Sequence, residues 1–579
     1  MFGFRRKKHL QKFYTPGQEL KFGKADIASF SGEKDAVSVC HLRTLFVIFA
    51  FVSVYFVICL RLIVLCTSDD LIDTKKANAD KKSSGFEIAR VVRRADITDR
   101  NGTILATSLN TPNLYKKGKN IENTEEIASE LAEIIPDLSY NSILKKLKSE
   151  KSFNYIKRNL TPTQVYQINA LGHRELEFEK AEKRVYPLKN LFSHIVGYTD
   201  TDSHGIAGIE KQLDERLISS DISLKLSLDS VVQDIVHEEL SAAIEKFHAL
   251  GGVSIVMDVH TAEVIAMVSL PDFDPNFRKF KTQDAMKNFA TEGTYEAGSV
   301  FKIFTAALGL KTGKISLTET FDTTNPIKFK YNTIRGYHEE RRPLTVGEVL
   351  IYSSNLGSAR IALKVGKDDQ KKFLESLGFF EKVPNIEVPE RAFPITPKRW
   401  GEETTATVAY GYGISSSPLH IITAFCSIVN GGIYNEPTLL ADTHNRKSHR
   451  VISQKTSESM RKLLRDVVIK GSGKNANVKG YEVAGKTGTA DKIVDGKYIK
   501  KAVRTSFVST FPASDPKYAV LVMLDEPKGL KETFNWNTSG WNSVPTAGKI
   551  IERIAPQLNV QANFLLEEQK QHIIEASYH

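Results

Sequence analysis

The chain has 579 residues, with 79 Lys plus Arg against 68 Asp plus Glu for a net charge of +11. That length exceeds one compact domain and calls for two or three. Hydrophobic residues at 41% and charged residues at 25% exclude a disordered chain and a polytopic membrane protein. Four cysteines without a C-x-x-C pair exclude a disulfide scaffold, a zinc ribbon and an iron–sulfur site. His237-Glu238 lacks the second His of a zinc-protease helix, because Ser241 stands there. No metal and no cofactor is expected.

The charge is concentrated at the start. Residues 1–43 carry nine Lys/Arg and four Asp/Glu, and the run Leu45–Leu60 that follows has no charge. Basic residues ahead of an apolar run point to a membrane rather than to nucleic acid, which asks for basic residues and aromatics together on a folded domain. Residues 44–66 suffice for a span of about 20 residues if Arg61 snorkels outward. Asp69, Asp70 and Asp73 beyond it place the N-terminus in the cytoplasm. A cleaved signal peptide fits less well, since a long tail precedes the run and no small-residue cleavage site follows. Residues 1–43 are therefore expected as a cytoplasmic tail and 44–66 as an anchor.

Beyond it, residues 67–225 read as a linker and a mixed α+β region. Asp99-Arg-Asn-Gly102 is predicted to turn a hairpin, and helical spacing recurs at 124–136 and 141–150. Residues 226–560 read as a larger α/β domain with strands at both ends and helices between. Its predicted strands are Gly252–Asp258, Glu263–Ser269, Arg504–Phe511 and Tyr518–Leu524, and helices are expected at Val300–Leu310 and Leu419–Asn430, with Cys426 as a core residue. Residues 561–579 form a polar tail.

Ser-x-x-Lys occurs five times, at Ser31, Ser142, Ser299, Ser459 and Ser514. Only Ser299 follows a glycine and opens an apolar helix, which puts Lys302 one turn on along the same face. A serine hydroxyl needs a base, a desolvated lysine can serve as one, and a helix N-terminus favours a developing oxyanion. Ser353-Ser-Asn355 supplies a relay hydroxyl and an amide that can hold a substrate amide. Earlier Ser-x-Asn triplets at Ser108, Ser139 and Ser152 precede Ser299 and fail on order. Lys486-Thr487-Gly488-Thr489 lies on a strand-like run and supplies a cation, two hydroxyls for a carboxylate and a close backbone approach. Lys311–Gly313 repeats Lys-Thr-Gly only as the end of the Ser299 helix, with Gly313 as its cap. Gly480–Thr487 also matches G-x-x-x-x-G-K-T, but no apolar strand precedes it and no apolar helix follows, so no nucleotide site is expected. Taken singly, each serine, lysine and asparagine reads as a cap, a turn or a solvated group; three motifs in order do not.

The ordered set Ser299-x-x-Lys302, Ser353-x-Asn355, Lys486-Thr-Gly488 resembles the penicillin-recognising serine acyltransferases. With the anchor, Arg94, Asp99–Gly102, Arg184-x-Tyr-Pro187 and Gly205–Glu210, residues 86–555 resemble class B penicillin-binding proteins. Asp274-Pro-Asn276, Tyr410-Gly-Tyr-Gly413, Asn430-Gly-Gly432 and Thr538–Asn542 extend the likeness. Ser-x-Asn and the final Gly-Trp-Asn542 are similar to the FtsI division-specific members; elongation-specific members commonly carry Asp at the position of Asn355. Ala297 departs from the family's usual Pro before Gly-Ser.

The resemblance implies a single N-terminal transmembrane helix, an α+β pedestal, and a transpeptidase domain with a mainly antiparallel sheet packed between helices. It implies a D,D-transpeptidase cross-linking peptidoglycan stem peptides at the septum, in the inner membrane with its catalytic domain periplasmic. Ser299 would be the nucleophile, Lys302 the base, and Ser353 with Lys486 the relay and electrostatic support. Asn355 would hold the stem amide and Thr487, Gly488 and Thr489 the terminal carboxylate, with the N–H groups of Ser299 and Thr489 as the oxyanion hole. β-Lactams are the expected inhibitors, and an FtsW-type glycosyltransferase with other divisome proteins the expected partners. An elongation-specific class B transpeptidase is the alternative within the family, and a hydrolase and a catalytically silent division scaffold are the alternatives outside it.

Overall fold

The computed structural model describes residues 45, 47–61, 94–277, 282–330, 332–336, 340–382, 386–441, 446–494 and 497–564. The chain divides into Met1–Arg90 and Val91–His579. In the first unit residues 47–61 are helical. Among the described residues no helix is long and apolar enough to cross a membrane. The tail 1–43, the rest of the expected span, the 67–85 linker and residues 565–579 lie outside the described residues.

The second unit begins with the α+β region. The expected hairpin joins Ile97–Thr98 to Ile104–Asn110. Asp99 Oδ1 accepts from the N–H groups of Asn101 and Thr103, and Gly102 alone takes a positive φ, 91°. A three-stranded sheet of Asn113–Lys117, Phe153–Lys157 and Leu176–Glu179 packs a separate apolar core with helices Thr124–Ile134, Tyr140–Leu147 and Pro162–Leu171. Buried Glu210 accepts from Arg94 Nε at 2.6 Å and Arg184 Nε at 2.7 Å, with Arg94 Nη1 also 2.6 Å from Asp214 Oδ1. Buried guanidinium groups need such partners, because an uncompensated buried charge is costly. Tyr186 N donates to Asn276 Oδ1 at 3.0 Å and Asn276 Nδ2 donates back to Tyr186 O at 2.9 Å. Two of the recurrent motifs therefore meet across the boundary between the regions.

The larger α/β region is built on one five-stranded sheet: β1 (Gly251–Asp258), β2 (Val264–Leu270), β3 (Ala484–Val494), β4 (Lys497–Phe511) and β5 (Tyr518–Asp525). Its order is β2-β1-β5-β4-β3 and every pairing is antiparallel. Around it run α1 (Ser230–Lys246), α2 (Lys302–Thr312), α3 (Val346–Ile351), α4 (Asn355–Val365), α5 (Pro418–Val429), α6 (Gln454–Lys470) and α7 (Ser543–Gln557). One sheet face packs α1 and α7 on Val256, Phe507 and Val522, and the other packs α2 and α5 on Ile255, Val508 and Met523. With both faces covered, β2 is buried along its whole length, which explains why it is apolar at every position but Ser269. Cys426 is buried in α5.

Candidate active site

Ser299 sits on a 3₁₀ turn, Gly298–Phe301, one turn ahead of α2 rather than on the α-helix itself. In that tighter winding residues three apart eclipse, and Lys302 Nζ lies 3.0 Å from Ser299 Oγ. Gly298 has φ +52°, and a Cβ there would stand 2.8 Å from Thr489 O, so both the turn and the neighbouring strand require glycine. A Cβ on Gly488 would meet Ala297 O at 2.6 Å and Ser506 Oγ at 2.5 Å. Thus β3 lies directly against the serine turn.

Ser353 occupies the joint between two helices. α3 starts in a capping box of Thr345 and Glu348, and Ser354 caps α4 by accepting from Gly357 N at 2.9 Å. The sharp reversal between them puts Ser353 at φ +55°, a strained conformation for a residue with a Cβ. Lys302 Nζ donates to Ser353 O and reaches Ser353 Oγ at 3.1 Å, while Lys486 Nζ donates to the same Oγ at 3.0 Å. Asn355, half-buried, is the first residue of α4.

Lys486 is fully buried, and desolvation brings its amine from the ordinary 10.5 down to about 7. Thr487 is buried and its hydroxyl is 2.7 Å from Ser472 Oγ. Thr489 is half-buried and accepts from Ser539 N at 3.3 Å, tying the Thr538–Asn542 motif to β3. Of the two expected carboxylate-binding hydroxyls, Thr489 is the less enclosed.

Ser299, Lys302, Ser353 and Lys486 thus form one continuous chain of contacts. The decoys bond elsewhere: Ser459 Oγ to Lys455 O, Ser514 Oγ to Glu482, and Lys311 Nζ over the Phe373 ring; Ser31 lies outside the described residues. The G-x-x-x-x-G-K-T match is the run-up into β3, which continues as strand through Val494.

Two residues escaped the sequence reading. Ser472, on the loop after α6, has no motif of its own. Glu296 was visible three residues before Ser299 but carried no assigned role. It is buried, which raises its carboxyl pKa, and it accepts from Gly413 N at 2.6 Å and from the Tyr498 hydroxyl at 3.2 Å. It therefore fastens the segment leading to Ser299 to the Tyr410–Gly413 loop.

The sequence profile described as the penicillin-binding protein transpeptidase domain matches residues 252–552, and that described as the penicillin-binding protein dimerisation domain matches 89–242. The chain is 36% identical over 483 residues to the probable peptidoglycan D,D-transpeptidase FtsI of Caulobacter vibrioides, covering 81% of this chain and 82% of that one. The chain belongs to the class B penicillin-binding proteins. This penicillin-binding protein is also 29% identical to stage V sporulation protein D of Bacillus subtilis, over 81% of its own length and 79% of the relative's. Its fold matches the crystal structure of penicillin-binding protein 3 from Mycobacterium tuberculosis in complex with aztreonam, with TM-score 0.65 and 23% identity, covering 82% of this chain and 97% of that one. It is a serine D,D-transpeptidase acting on peptidoglycan.

Proposed function

We propose that this class B penicillin-binding protein cross-links stem peptides at the division septum, anchored in the inner membrane by 44–66 with its catalytic region in the periplasm. The observation that carries the chemistry is the chain Ser299 Oγ–Lys302 Nζ–Ser353 Oγ–Lys486 Nζ. A neutral amine has two N–H groups and one lone pair. Lys302 Nζ donates to Ser299 Oγ, Ser353 O and Ser353 Oγ at rest; once neutral it keeps its two N–H groups on Ser353 and turns its lone pair to the Ser299 proton. Ser299 Oγ then bonds to the penultimate D-alanine carbonyl carbon, and the C–N bond to the terminal D-alanine breaks. The proton from Ser299 returns to the leaving amine through Lys302 and Ser353. Lys486, half neutral near pH 7, supports that relay electrostatically.

Main-chain N–H groups of Ser299 and Thr489 receive the oxyanion, and the contact of Gly298 with Thr489 O supports their proximity. Thr489, with Thr487 and Gly488 behind it, holds the terminal carboxylate, and Asn355 the stem amide. An amine of a neighbouring stem attacks the acyl-enzyme and frees Ser299. β-Lactams enter the same path as substrate mimics. The likeness to a relative named FtsI favours the septal role and an FtsW-type glycosyltransferase with other divisome proteins as partners; the sporulation relative keeps another class B role as the second reading.

The test is intact mass and peptide mapping of the full chain with a penicillin. A lasting adduct on the Ser299 peptide, lost in Ser299→Ala while the fold persists, is expected. A short-lived adduct with penicillin consumed would make the protein a hydrolase. No adduct on folded protein would make it a silent scaffold.

A further inference from the structure

A cavity of about 430 Å³ opens beside the catalytic sheet, and none of Ser299, Lys302, Ser353, Asn355 and Lys486 lines it. Its apolar wall includes Leu250, Leu270, Phe289 and Met523, and its polar groups come from Arg504, Lys492, Asp525 and Asp284. The Arg504 guanidinium lies over the Tyr295 ring, 4.2 Å from its centre. Its Nε is 3.2 Å from Asp525 Oδ1, yet neither atom has a hydrogen-bond partner. Lys492, by contrast, is held between Asp525 Oδ2 at 3.1 Å and Glu526 Oε1 at 2.9 Å. That Nε is buried and ion-paired with Asp525, so a stacked, planar guanidinium offers an occupant only its Nη edge, which favours a carboxylate.

A simple anion would also face Asp284 and Asp525, and a simple cation would face Arg504 and Lys492. Only a molecule carrying both charges on an apolar body meets all of the wall. The volume lies within the range of about 300–1,000 Å³ typical of small-molecule sites.

We propose that this cavity is a second ligand site, taking a zwitterionic amino acid or dipeptide with an apolar side chain, its carboxylate on Arg504 and its ammonium on Asp284. Tyr295 forms part of the wall four residues before Ser299, so an occupant contacts the segment that delivers the nucleophile. The site stands apart from the roles given to Ser299 and its neighbours.

The probe is phenylalanine, with phenylalaninamide and N-acetylphenylalanine as analogues each lacking one charge. Binding to the detergent-solubilised full chain is followed by saturation-transfer NMR, before and after treatment with a penicillin. Phenylalanine is expected to bind, each analogue about tenfold or more weaker, and penicillin treatment to leave the affinity unchanged. Arg504→Gln and the mouth-blocking Leu250→Trp should each weaken binding about tenfold; if Arg504→Gln fails to fold, Leu250→Trp carries the test. No binding up to about 20 mM, equal binding of either analogue, undiminished binding to the variants, or loss of binding on penicillin treatment would each overturn the proposal.

Discussion

Lys486→Met should make the protein more stable and less reactive. The fall of its amine from 10.5 to about 7, at about 1.4 kcal/mol per pH unit, makes the buried ammonium cost roughly 5 kcal/mol below pH 7. Bonds to Ser353 Oγ and Thr487 O, at about 1 kcal/mol each, offset part of that cost. The variant is therefore expected to gain about 3 kcal/mol at pH 6, raising Tm by roughly 5 °C. Because a depressed lysine leaves the native state with fewer protons than the unfolded chain, wild-type stability rises with pH between about 7 and 10.5. The advantage of the variant should shrink by about 1.4 kcal/mol per unit above pH 7 and vanish near pH ~9. Thermal melts of both proteins at pH 6, 7.5 and 9 read this directly. Acylation by a fluorescent penicillin should fall about 100-fold, since the Ser353 hydroxyl loses one of its two lysines. A variant less stable than wild type at pH 6, or a stability difference that ignores pH, would refute the reasoning.

Gly488→Ala pushes a Cβ against Ala297 O and Ser506 Oγ; it should cost about 1–3 kcal/mol and slow acylation about tenfold, read in denaturant and labelling experiments. Ala297→Pro should stabilise by about 0.5 kcal/mol with acylation unchanged, because φ at Ala297 is −84° and its N–H makes no backbone hydrogen bond among the described residues. Glu210→Gln leaves Arg94 and Arg184 under-compensated in the pedestal and should lower unfolding free energy in urea by about 3 kcal/mol.

The largely apolar strands buried on both faces were legible in the sequence. β1, β2 and β5 begin and end within about two residues of where their composition places them. β4 was read only from Arg504 because its first part pairs with the end of β3 in a hairpin whose Tyr498 and Ile499 are exposed. The short strands of the three-stranded pedestal sheet gave too few alternations to show. Within the site, the motif order pointed to Ser299, Lys302, Ser353 and Lys486, since chemistry constrains residue type and spacing together. Ser472 and the latch role of Glu296 depend on which backbone groups come near in space, and nothing in local sequence records that. The 3₁₀ winding at Ser299 likewise has no local signature; there Gly298 packs against Thr489, a contact between residues 191 apart in the chain (298 to 489).

That contact bears on how the protein matures. The serine turn, the helix joint and the lysine strand come from three distant stretches, and the approach of β3 to Gly298 bridges the long excursion that follows β2. Pairings of such long sequence separation form slowly and late. A partly folded chain holds Ser299 without its neighbours and has no means of activating it. Penicillin capture should therefore lag behind the gain of secondary structure during refolding, and the antibiotic becomes a counter of finished molecules.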